Sequence, residues 1–266
     1  MLSIVKTFGV ASITIKQKII YRSSVWFGTI SVLVSILVYF FLWSAIFAKQ
    51  TVFRGYTFPM MVTYVVISRV LASQFSGGVN LILAEAVYEG SIGVELLRPI
   101  GLIWNLLAQR LGEFAQFVIF KALPVSVFAS IILGGMPPSG WKSALLFAVS
   151  VIMSILLLFF MEVIMGLVSF YTLNYDGVRF AKDALLAILS GGLAPISIFP
   201  ETVRRVFLFL PFQNLISTPI NIYLGILSAK DAIIALGIEA LWTAVFGILA
   251  FLFYQRAIKK VIVQGG

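Results

Sequence analysis

The residues able to do chemistry are few and unevenly placed. Glu85, Glu89, Glu95 and Arg98 fall within fourteen positions, between two strongly apolar stretches. Crossing a bilayer needs no such segment, so an amphipathic run of this size is built to meet a partner in water. Four more ionisable residues, Arg69, Lys121, Glu162 and Glu239, lie inside apolar stretches. A charge in the bilayer core costs about 2.5 kcal/mol or more, so such groups face protein or a wet cavity. Two readings fit them: a translocation pathway or gating element, or structural pairing, with Arg69 and Lys121 snorkelling to the nearer interface. Two cations and two anions balance, but the balance names no partners.

Other chemistries are excluded. The chain has no Cys and no His, which removes disulfides, thiolate nucleophiles, His-based zinc sites and His general bases. A carboxylate metal site would have few acids to draw on. Gly135-Met136-Pro137-Pro138-Ser139-Gly140-Trp141-Lys142-Ser143 only approaches a phosphate-binding loop. Trp141 intervenes before Lys142, and two Pro remove backbone donors that a phosphate cradle needs. No catalytic, cofactor or metal residues are expected on this chain.

The elements that hold these residues are membrane helices. Of the 266 residues 61% are hydrophobic and 11% charged, and the mean hydropathy is +1.09. A soluble domain of this size cannot bury that much apolar surface. The net charge of +9 comes from cations in short connecting segments, with no basic patch that would suit nucleic acid. Residues 1–22 read as an amphipathic helix lying in the interface. Lys6, Lys16, Lys18 and Arg22 interrupt them, so they are not a signal peptide.

The expected fold is an all-α membrane protein in one domain, 1–266, with six transmembrane helices. Span 1 covers 23–48, which holds no charge and suffices for a core of about 30 Å. Span 2 covers 56–79. A charged segment, 80–112, separates it from span 3 at 113–134. Span 4 covers 143–171, a polar loop covers 174–183, span 5 starts near Ala184 and span 6 covers 232–255. Residues 206–229 lack charge, but Pro211 and Pro219 would free carbonyls in lipid. Residues 196–229 are therefore expected to form broken, re-entrant helices. With six spans, eleven cations fall on one side and six on the other. The richer side, holding both termini, is then the cytoplasmic one. Aromatics near the span ends form an interfacial belt. Phe40, Phe41, Trp43 and Phe47 on span 1 are also placed to line a path.

Two patterns carry a family resemblance. Glu85-x₃-Glu89-Gly90-Ser91, followed by Glu95-Leu96-Leu97-Arg98-Pro99, resembles the cytoplasmic coupling segment of type-2 ABC exporter permeases. The Leu-Leu-Arg-Pro form resembles one bacterial branch, and Ser91 stands where the wider family often has Thr. Ser190-Gly191-Gly192, Pro195, Phe199-Pro200, Leu210-Pro211-Phe212, Pro219 and Gly225 resemble the outer stretch after the fifth span.

The resemblance implies the transmembrane subunit of a bacterial ATP-driven exporter in the cytoplasmic membrane. It would work with two copies of a cytoplasmic ATPase, which carries ATP and Mg, and with a second permease, paralogous or identical. In it Glu85, Glu89 and Glu95 would fix docking register. Leu96, Leu97 and Pro99 would supply apolar anchors. Gly191, Pro195, Phe199, Pro200, Pro211, Phe212 and Pro219 would form an outer gate. Membrane lipid is a further partner. The alternatives are an ion-coupled secondary transporter using Glu162 and Glu239, or a membrane-embedded lipid-modifying enzyme. The first would show inverted repeats and the second a cluster of acids or His at one interface. Neither is present in the sequence.

Overall fold

The computed structural model describes residues 22–96, 101–172 and 175–260. The expected interfacial helix, together with Leu97, Arg98 and Pro99, lies outside the described residues.

Helix α1 (Arg22–Phe47) leads to a two-residue antiparallel hairpin, β1 (Val52–Phe53) and β2 (Tyr56–Thr57), with Arg54 and Gly55 at its turn. Next come α2 (Phe58–Ala72), α3 (Val79–Tyr88) and α4 (Ile92–Leu96). Helices α5 (Leu102–Phe117) and α6 (Leu123–Leu133) are joined through a π turn, Val118–Ala122. Pro124 explains that turn: it lacks an N–H, and a wider loop spares the clash its ring would make in a regular helix. Helix α7 (Trp141–Leu167) ends in a 3₁₀ turn. Then follow α8 (Tyr175–Leu189), α9 (Glu201–Phe209), α10 (Ser217–Tyr223) and α11 (Ala229–Ala257).

Among the described residues four helical segments are long and apolar enough to cross a membrane: Trp26–Phe47, Leu102–Leu133, Trp141–Phe170 and Ala229–Lys260. Helix α2 is a shorter apolar helix. This is a mostly helical, multi-pass membrane protein.

Three expectations change. The stretch 56–79 is not one helix, because α2 stops at Ala72 and a bend covers 73–78. Fifteen residues rise only about 22 Å, short of a full crossing. Residues 175–183, expected as loop, form the first turns of α8. The second long helix, expected as span 3 from residue 113, starts at Leu102, inside the segment expected to be non-spanning. The expected breaks after Leu189 are present: 3₁₀ turns at Ile196–Ile198 and Pro211–Leu215 flank α9, and α10 follows. Each Pro at these sites precedes a short helix or sits in its first turn instead of interrupting a long one.

Helix α7 is the central post. It packs along α11, with α3 against its end and α10 against its middle. Two buried clusters follow from this. One joins Ile36, Tyr64, Leu157, Leu158, Ile216 and Ile220; the other joins Val79, Leu83, Phe159, Val163, Leu167 and Ala250. We call the end with the second cluster basal and the opposite end, with the hairpin and α10, apical.

Candidate functional site: a charged elbow beneath an exposed helical pair

The elbow at 73–78 exposes helix ends on both sides. The carbonyls of the turn that follows α2 and the first N–H groups of α3 have no partners within the helices. Charged side chains from three other helices supply them. Arg110 on α5 donates from Nη2 to the Gln74 carbonyl at 3.2 Å. Lys182 on α8 donates from Nζ to the Phe75 carbonyl at 2.8 Å. The Val79 N–H donates to Glu162 Oε2 on α7 at 3.3 Å. Cations thus meet a helix C-terminus and an anion meets a helix N-terminus, the favourable sense for both helix dipoles.

The charges also meet one another. Arg110 Nη2 lies 3.6 Å from Glu162 Oε1, with both side chains buried, and Arg110 Nη1 lies 3.8 Å from Glu113. Lys182 Nζ lies 3.1 Å from Asp183. Backbone form fits the carboxylate: Gly78 has φ +127°, and a β-carbon there would sit 2.7 Å from both Glu162 oxygens. Only glycine serves at that position. Buried nitrogens of the same region, Asn105 Nδ2 and Arg110 Nε, lack a hydrogen-bond partner among the described residues.

The elbow carries α3 and α4, which hold the acidic residues. Glu85 and Glu89 are exposed, as are Tyr88, Gly90 and Val94. Ser91 lies between the two helices, and Glu95 is in the last turn of α4. The inner face of α3 is fixed to α7 at Gly166, where a β-carbon would meet Leu83 at 2.8 Å and the Asn80 backbone at 3.1 Å. The exposed pair is therefore seated on a long helix that runs to the other end of the molecule.

The remaining intramembrane charges do not pair with each other. The Arg69 guanidinium sits 4.3 Å from the ring centre of Tyr39, a cation–π contact between α2 and α1. Glu239 on α11 is buried, with Ser150 Oγ and Ser154 Oγ each 2.9 Å from one of its oxygens. Ser154 Oγ is also 2.6 Å from the Asn214 carbonyl and 2.8 Å from that of Ser150. One hydroxyl proton cannot serve three acceptors. Lys121 lies in the π turn.

At the apical end the Tyr64 hydroxyl donates to the Gly191 carbonyl at 2.8 Å. Pro195 and Pro200 precede the first 3₁₀ turn and α9, and Phe199 packs on Phe207. Pro211 is buried, Phe212 packs against the apical core, and Pro219 lies within α10. These residues occupy one layer, bound to α2 and α7 by way of Gly191 and Asn214.

Sequence reasoning found Glu162 but not what it touches. In the sequence Arg110 and Lys182 read only as cations of connecting segments. The signal available was Ser76-Gly77-Gly78 inside an apolar stretch, a turn marker that implies helix ends needing charged caps.

No match is found among curated proteins. Residues 33–265, nearly the whole chain, match the family described as ABC-2 family transporter protein. Four apolar helices long enough to span a membrane agree with that match, and the chain belongs to this family of ABC transporter permeases.

Proposed function

We propose that this chain is the transmembrane subunit of a bacterial ATP-driven exporter, with α3 and α4 as the element that receives force from a separate cytoplasmic ATPase. The observation that carries the reading is the seating of this acidic, exposed pair on α7 through Gly166 and the Glu162–Arg110 elbow. A docked partner that moves α3 moves the end of a spanning helix with it. Buried charges with unmatched neighbours suit a region that has a second arrangement.

In this reading the basal end faces the cytoplasm, both termini lie there, and α2 and α8 complete six spans. Two ATPase copies, carrying ATP and Mg, bind beneath two permeases, this chain and a paralogous or identical one. Glu89 and Glu95 set docking register and Val94, 66% exposed, adds apolar contact. The apical layer, 190–225, is the outer gate.

The test is co-purification of the untagged ATPase with this chain. Replacing Glu89 and Glu95 with Lys is expected to abolish it while membrane insertion persists, since misplaced charge at a docking site costs affinity. Undiminished co-purification together with undiminished ATP hydrolysis would overturn the assignment of α3 and α4.

A further inference from the structure

A second site lies beside the elbow, on its lipid-facing side. A cavity of about 440 Å³ opens between α1, α3 and α5. Its lining is polar for a membrane protein and includes Glu85, Arg110, Glu113, Gln116 and Lys121. Arg110 is already engaged by Glu162 and the elbow. Lys121 and Glu85 are not: among the described residues neither side chain has an ion pair or hydrogen bond within the protein. Lys121 stands on the π turn, a helical irregularity often found at functional sites. Its Nζ lies against α1, 3.6 Å from where a β-carbon on Gly28 would sit. No side chain from that position closes the space.

The charges are ordered along the membrane normal. Lys121 is eight residues beyond Glu113, about 12 Å along the helix axis. Side chains lean towards the helix N-terminus, which brings the ammonium down towards the basal interface. Glu85, on α3, sits at the basal rim and is exposed. On the far side of Lys121 the helix presents Leu123, Val127 and Phe128, all more than half exposed. Passing from the bilayer centre to the basal interface, a molecule would meet exposed apolar side chains, then a cation, then a carboxylate. An aminophospholipid in the basal leaflet presents acyl chains, phosphate and primary ammonium in the same order.

We propose that this cavity binds the zwitterionic head group of a glycerophospholipid bearing a primary amine, with Lys121 holding the phosphate and Glu85 the ammonium. The binding is independent of the transport reading; only the naming of the leaflet as cytoplasmic rests on it. The phosphate–lysine contact removes the cost of a lone half-buried ammonium at membrane depth. The carboxylate distinguishes this lipid from an anionic one, which it repels, and from a trimethylated one, whose head group has no N–H to donate.

Native mass spectrometry of the purified full chain in detergent tests this. The probes are phosphatidylethanolamine, its trimethylated counterpart phosphatidylcholine, phosphatidylglycerol and inorganic phosphate. Phosphatidylethanolamine is expected to be retained in preference to the other three. Loss of one charge-assisted hydrogen bond in Lys121→Gln should weaken retention about tenfold, while Lys121→Arg preserves it. Glu85→Gln, on the exposed rim, should abolish the preference over phosphatidylcholine and leave folding intact, as read from size-exclusion profile and Tm. Three results would overturn the proposal. One is equal retention by wild type and both charge-removing variants. Another is retention of phosphatidylglycerol as strong as that of phosphatidylethanolamine. The third is displacement of the lipid by millimolar inorganic phosphate, which would make this an anion site.

Discussion

Glu162 does three things with two oxygens: it accepts from the N-terminus of α3, pairs with Arg110, and occupies the space left by Gly78. Removing a partner from a buried pair leaves an uncompensated charge. Glu162→Ala should therefore lower stability by about 3 kcal/mol or more, measured by unfolding in detergent. Glu162→Leu combined with Arg110→Met should recover much of that loss, because neither charge is then stranded. Gly78→Ala is expected to cost about 1–3 kcal/mol, from strain at its φ and from displacement of the carboxylate. Glu239 should behave differently. Glu239→Gln keeps hydrogen-bonding atoms facing Ser150 and Ser154 and is expected to change Tm little. Glu239→Ala strands Ser150 and Ser154, with a cost of about 1–3 kcal/mol.

At the scale of elements, the long helices were legible because twenty or more apolar residues in a row admit few other structures. The broken apical layer was legible because its Pro residues forbid a continuous helix. What sequence could not show is where a short apolar helix stops. Composition runs smoothly through 56–79, and only Ser76-Gly77-Gly78 marks the elbow. The caps of that elbow come from Arg110, Glu162 and Lys182, which lie 36, 83 and 107 residues from the atoms they serve. No local pattern links them. The start of α8 was hidden for a related reason: Tyr175–Asp183 is polar enough to read as loop, yet Lys182 is drawn inside by the Phe75 carbonyl. Since Lys182 holds the end of α2, Lys182→Ala should loosen the elbow before anything else. Amide exchange is expected to rise at 73–79 with little change along α7; uniform acceleration along the molecule would show that the elbow is not a separate unit.

For the whole molecule, the elbow residues, α3 and the start of α8 belong to one end, while the hairpin, the 134–140 turn and the 190–228 layer belong to the other. Contacts tie each end together independently of any membrane. Tyr88 donates to the Thr172 carbonyl and Tyr171 stacks on Phe253 at the base. Tyr56 donates to Asn221 and Ser139 donates from its backbone N–H to the Tyr223 carbonyl at the apex. Helices α2 and α8 are each about 22 Å long and both run between these ends; in the six-span reading the bend and the broken layer complete the crossing that helix alone does not. The two ends should then lie in different aqueous compartments. Because the chain has no native Cys, single cysteines report this cleanly. Cysteines at Glu89 and Asp176, both exposed at the base, should resist an impermeant thiol reagent in intact cells and react once the membrane is opened. Cysteines at Ser139 and Lys230, exposed at the apex, should react from the start. Since α7 lies between Ser139 and Asp176, labelling of both pairs from the same side would overturn the assignment of the two ends to opposite faces of the membrane.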